Sequence, residues 1–231
     1  MKKLLTCIAV LASACAVAMA QTTIDEIEDA KSVESENEVF SVEGLSNLRI
    51  GTHYVTGNEY ISEDWLKSRH FAFNAVELSV KPASWVGFTA GVDLNFDMFR
   101  AAGDYKFGIG PEGSIPVPVQ DTQISKSKIK FFSLGFPLLL DLKARDCGVR
   151  LGVECMMGLS AKAKNYVPGE GKRDTIDKIK GGKPKGITWN PLAEIYFDGI
   201  GIYYRYSPSP IVANGDLNIS GYHTVGLVLG L

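Results

Sequence analysis

The chain has 231 residues, 45% of them hydrophobic and 22% charged, with a formal net charge of −2. Past residue 20 no window offers 18 consecutive apolar residues, which excludes a helical membrane protein. The basic residues are dispersed with no stacking platform among them, which gives nucleic-acid binding no support.

At the N-terminus, Lys2 and Lys3 precede an apolar run from Leu4 to Val17, and Ala18 and Ala20 flank Met19. That order predicts a secretory signal peptide over residues 1–20, cleaved after Ala20; the run is too short to anchor in a membrane. Cys15 follows Leu11-Ala12-Ser13-Ala14, but the large aliphatic lies four residues back, one more than a lipid-attachment cysteine wants. Residues 21–45 carry Asp25, Glu26, Glu28, Asp29, Glu34, Glu36, Glu38 and Glu43 against Lys31 alone. This stretch reads as a mobile acidic N-terminal segment or a short helix, and residues 46–231 as one domain.

Within that domain the signal is period-two alternation. Weak strands are expected at Asn47–Thr56 and Phe71–Val80. From Trp85 to Met98 the pattern is clear: Val86, Phe88, Ala90, Val92, Leu94, Phe96 and Met98 share one parity, and Gly87, Thr89, Gly91, Asp93, Asn95 and Asp97 the other. A strand puts these sets on opposite faces, whereas a helix would mix Val86 and Ala90 with Asp93 and Asp97.

Next, Phe132, Leu134, Phe136, Leu138, Leu140 and Leu142 alternate with Phe131, Ser133, Gly135, Pro137, Leu139 and Asp141; a bulge or local break is expected at Pro137, which has no N–H to give. Val149, Leu151, Val153, Cys155, Met157, Leu159 and Ala161 then oppose Arg150, Gly152, Glu154, Met156, Gly158, Ser160 and Lys162. If Cys147 and Cys155 share this strand they stand roughly 26 Å apart, beyond disulfide reach, and no metal-ligand spacing accompanies them. A strand at Ile187–Phe197, one at Ile200–Ser207 and a last one from Gly221 to Leu231 complete a count of eight.

The connections alternate in length. Lys81-Pro82-Ala83-Ser84, residues 144–146 and Asp198-Gly199 read as tight turns; residues 57–70, 99–127, 165–186 and 208–220 are long. That sorting predicts a closed antiparallel up-and-down transmembrane β-barrel of about eight strands, all-β, with short periplasmic turns and long external loops. The polar parity, small residues with isolated charges at Asp93, Arg150, Glu154, Glu194 and Arg205, suits the cramped inside of such a barrel. Trp85, Phe99, Trp189, Tyr204, Tyr206 and Tyr222 are candidates for the two membrane interfaces. The alternative is a secreted soluble barrel that turns its apolar parity inward around a small apolar ligand.

The runs Phe132-Ser133-Leu134-Gly135-Phe136-Pro137-Leu138-Leu139-Leu140, Val149 to Gly158, Gly199-Ile200-Gly201-Ile202-Tyr203-Tyr204-Arg205-Tyr206 and the closing Val225 to Leu231 are similar to those of the PorT-like outer-membrane β-barrel family of Bacteroidetes-type bacteria. The resemblance spans roughly residues 45–231. It implies a cell outer-membrane location in a Gram-negative envelope and a role as an accessory of protein secretion or envelope assembly, exerted through loops or periplasmic tail. It implies no catalytic, cofactor-binding or metal residue.

The residues themselves offer few candidates for catalysis. Ser68, His70 and Asp64 are a nucleophile, a base and an orienting acid close in sequence, read as loop residues on the long-loop side. Asp93 and Asp97 share an inward face and are expected to pair with Arg150 or Arg205. Gly181-Gly182-Lys183-Pro184-Lys185-Gly186 lacks the hydroxyl residue of a phosphate loop and reads as a flexible external loop; with Lys172, Arg173, Lys178 and Lys180 it is basic enough to touch lipopolysaccharide. The expectation is therefore a non-enzymatic protein without cofactors, whose partners are outer-membrane lipid, lipopolysaccharide and an envelope or secretion protein.

Overall fold

The computed structural model describes residues 40–44, 46–103, 105–107, 118–120, 126–144, 147–167, 174–182, 184, 186–212, 217 and 219–230. The expected signal peptide and most of the acidic segment lie outside the described residues. Twelve strands are present among them: β1 (Phe40–Gly44), β2 (Asn47–Tyr54), β3 (Arg69–Ala83), β4 (Val86–Arg100), β5 (Tyr105–Phe107), β6 (Pro118–Gln120), β7 (Lys126–Ala144), β8 (Cys147–Val167), β9 (Asp174–Gly182), β10 (Ile187–Phe197), β11 (Ile200–Ser207) and β12 (Tyr222–Gly230).

Eight of these form a ring. Each of β2, β3, β4, β7, β8, β10, β11 and β12 pairs antiparallel with the next, and β12 returns to β2 with Val225 opposite Thr52 and Leu229 opposite Leu48. Closure removes every sheet edge from the wall, the condition for a sheet in hydrocarbon. All eight strands expected from the alternation are in the ring, and the turn and loop lengths alternate as the sequence predicted. The β10–β11 turn has positive φ at both Asp198 (44°) and Gly199 (79°), the type I′ geometry that matches strand twist.

The polarity of the wall follows the pleat. Phe88, Phe96, Leu138, Leu151, Val153, Trp189, Ile195, Ile202, Val225 and Leu227 are exposed on the outside, while Asp93, Asn95, Asp97, Glu154, Glu194 and Arg205 are buried inside. This is the membrane-barrel arrangement; a soluble ligand-carrying barrel needs the reverse.

Several local expectations are corrected. Residues 40–44, assigned to the acidic tail, are β1, which pairs with Val76–Val80 along the edge of β3 that β2 uses further on. Lys81 and Pro82 belong to β3, which carries an irregularity between Val80 and Ala83; the tight turn is Ser84-Trp85. At Pro137 the expected irregularity takes the form of a local break in the β4–β7 ladder and not of a bulge. The proline's pairing with β8 is unbroken, and on the β4 side two rungs are missing but the ladder resumes in step, because a strand residue directs its N–H to one neighbour only.

The bulge lies instead between Phe132 and Ser133, opposite Ser160 and Gly158. It switches the parity of β8, so that Ala161 turns inward and Lys162 outward, the opposite of the expected faces, and Ala163 follows inward. Part of the segment read as a flexible loop is β9, hydrogen-bonded to the extension of β8.

Candidate functional site

Alternation sends one polar side chain inward at every second residue, and in an eight-strand ring these chains meet. They form three tiers of charge. Nearest the turns, the Arg150 guanidinium lies 3.4 Å from Glu77, 3.5 Å from Asp141 and 3.9 Å from Glu194. Tyr196 donates to Asp141 at 2.7 Å, and Asn47 donates to Glu77 at 2.6 Å.

In the middle tier Arg49 donates through Nε to Glu194 at 2.6 Å and through Nη1 to Asp93, which also accepts from Asn74 at 2.7 Å. Towards the loops, Arg205 spans Asp97 at 2.7 Å and Glu154 at 3.2 Å, and Asn95 donates to the same Glu154 at 2.8 Å. Glycines make room for these groups: a Cβ at Gly135 would stand 2.2 Å from Glu154 Oε1.

Two histidines close the network at its upper end. His70 is buried in the lumen with Nε2 3.0 Å from Asn95 Oδ1 and Nδ1 against the Tyr203 hydroxyl. Since Asn95 Oδ1 is an acceptor, Nε2 carries the proton and Nδ1 accepts from Tyr203. His53 Nε2 stands 3.1 Å from Asp97 Oδ1, and its ring stacks on Phe99 at 4.5 Å with Tyr222 edge-on at 5.3 Å.

Phe99 and Tyr222 begin a second region, an apolar cap over the charged tiers. Val55, Ile61, Phe107, Ile129, Phe131, Leu217 and Ile219 are buried there, contributed by strand ends and by the long connections. Both aromatics were candidates for the membrane interface; they face inward because they continue the lumen parity of β4 and β12. Trp189 and Tyr204 do lie exposed on the outer wall.

The Ser68, His70 and Asp64 trio is not assembled. His70 is a lumen residue with both nitrogens engaged, Ser68 Oγ accepts from the Arg100 backbone at 3.3 Å, and Asp64 pairs with Lys67 at 2.9 Å. Asp97 pairs with Arg205 as expected, but the partner of Asp93 is Arg49, not Arg150. Asn95 lies inward with Asp93 and Asp97, as its parity predicted, whereas Asn74 and Glu77 were not among the expected lumen residues. Asn74 shares the buried parity of His70 and Ala72, but Glu77 lies past the irregularity between Asn74 and Val76, where counting gives the wrong face. Cys147 and Cys155 share β8, the condition under which their spacing puts a disulfide out of reach, and both are free thiols.

Crossed by ion pairs in three tiers and roofed by packed apolar residues, the lumen offers a solute no open bore among the described residues. The surfaces left for recognition are the outer wall, the loop end and the turn end, where Asn47, Glu77, Arg150 and Tyr196 line a cleft of about 180 Å³. No family model and no curated protein matches the chain. Among solved structures it is similar to Neisserial surface protein A, with a TM-score of 0.35 and 11% identity over 84% of this chain and 98% of that one.

Proposed function

We propose that this protein is a non-enzymatic barrel of the outer membrane that serves as an anchored platform: its loop end meets a partner of the secretion or envelope-assembly machinery, and its lumen is structural. The observation that carries the reading is the pairing of an aliphatic outer belt with a lumen spent on internal ion pairs. An interior committed to Arg49, Arg150 and Arg205 and their carboxylates stabilises a small closed barrel and conducts little. The PorT-like resemblance of the strand runs supports the same reading, as does a leader with the form of an export signal.

Fractionation with crosslinking tests it. The protein should be recovered with outer membranes and released only by detergent, and a photocrosslinker at Glu59 or Glu63 in the β2–β3 connection should trap an envelope protein. Recovery in the aqueous fraction without detergent contradicts the location; a crosslinker that captures lipid alone contradicts the protein partner.

A further inference from the structure

The connection between β2 and β3 does not tuck wholly into the cap. Trp65 and Leu66 stay exposed, held by a small turn in which Asp64 accepts from the Leu66 backbone at 3.1 Å and pairs with Lys67. Together with Ile50, Tyr54, Val225 and Leu227 on the outer faces of β2 and β12, they wall a groove of about 870 Å³. Sites for small molecules commonly span about 300–1,000 Å³.

The groove is graded along the barrel axis. Ile50 and Leu227 form one apolar rung; Thr52, Val225 and Arg69 form the next towards the loops; Tyr54 and His223 the one beyond. Its loop-side end therefore carries two basic side chains, Arg69 and His223. No carboxylate among the described residues pairs with the Arg69 guanidinium. The His223 ring is stacked by Tyr206 at 5.0 Å and Tyr204 at 5.9 Å, with the Tyr204 hydroxyl 2.7 Å from Nδ1. When that hydroxyl donates, Nε2 bears the hydrogen and is a free-standing donor at the groove.

We infer that this groove is a lipid site: it seats an acyl chain against Ile50, Val225 and Leu227 beneath the Trp65-Leu66 shelf, and Arg69 and His223 bind the phosphate of an anionic headgroup. A plain aliphatic wall accepts any lipid. Basic groups confined to one end of a bounded apolar groove select an amphiphile with its negative charge at the same end. The inference rests on the proposed bilayer location of the wall.

Trp65 reports on the site directly. With Trp85→Phe and Trp189→Phe it is the sole tryptophan, and the full-length protein is reconstituted in phosphatidylcholine vesicles holding a minor fraction of brominated phosphatidylglycerol or, in parallel, the same fraction of brominated phosphatidylcholine. The anionic probe should quench Trp65 as though locally enriched about fivefold, the factor expected for one basic side chain near a charged headgroup.

Arg69→Gln with His223→Gln should abolish that preference while a Trp189-only protein shows none in either background. Equal quenching of Trp65 by the two probes overturns the lipid site. So does shielding of Trp65 from both while Trp189 is quenched, which would place a second copy or another protein on the groove. If neither tryptophan is quenched by either lipid, the bilayer location itself fails.

Discussion

Arg205 on β11 meets Asp97 on β4 across the full width of the lumen, Nη2 to Oδ1 at 2.7 Å, with four strand steps between them in either direction around the ring. The pair ties opposite walls together, and Glu154 on β8 shares the same guanidinium at 3.2 Å. Arg205→Met leaves two buried carboxylates without their cation, a loss of about 3–5 kcal/mol. Urea unfolding of the reconstituted barrel, followed by tryptophan fluorescence, measures it. Adding Asp97→Asn and Glu154→Gln should restore most of the stability, since the cost lies in the stranded charges rather than in lost packing.

Gly51 and Gly226 face each other on β2 and β12 at the closing seam, with the Tyr203 side chain against both. A Cβ at Gly226 would stand 2.2 Å from the Ile50 carbonyl oxygen and 2.4 Å from Gly51 Cα. Gly226→Ala, a change that elsewhere favours a strand, should lower stability by about 1–3 kcal/mol through overpacking. The same unfolding experiment reads it, and an unchanged midpoint would show that the seam has room to relax.

Leu217 belongs to the apolar cap and is fully buried. Leu217→Ala removes core volume worth about 2–5 kcal/mol in well-packed sites. Because the cap sits above the ring, the expected result is faster proteolytic cutting of the long connections with the strands still resistant. Loss of the whole barrel instead would mean that cap and wall unfold as one unit.

The Asp64 carboxyl is held below its ordinary value by the hydrogen bond from the Lys67 ammonium. A depressed folded value means that the contact is complete above the ordinary carboxylate pKa of about 4 and is lost as pH falls through the lower folded one. Trp65 fluorescence in the single-tryptophan protein should therefore change only on acidification below that range. Lys67→Gln should move the transition to higher pH.

Much of this architecture was legible because one strand face is greasy and the other small or charged, and a period of two needs no distant information. The strands from Trp85 to Met98 and from Ile200 to Ser207 show it plainly. What escaped depends on single-residue events. The irregularity between Asn74 and Val76 and the bulge at Phe132/Ser133 shift parity by one, so Glu77 and Ala161 could not be assigned a face by counting. The partner of Asp93 escaped for another reason: which inward arginine meets which carboxylate is set by strand stagger around the ring, and β2 was too short and mixed to show that Arg49 faces in. The cap was hidden because Ile61, Leu217 and Ile219 lie in irregular segments, where burial has no period.

In a membrane barrel the aliphatic parity of β7 lies in acyl chains. Spin labels placed one at a time from Phe132 to Leu142, with the native cysteines replaced, measure this residue by residue in reconstituted vesicles. Collision rates with oxygen should peak at Leu134, Phe136, Leu138 and Leu140 and dip at Gly135, Pro137 and Leu139. Peaks on the opposite parity, or rates for a water-soluble nickel chelate that are high at Phe136 and Leu138, would contradict it.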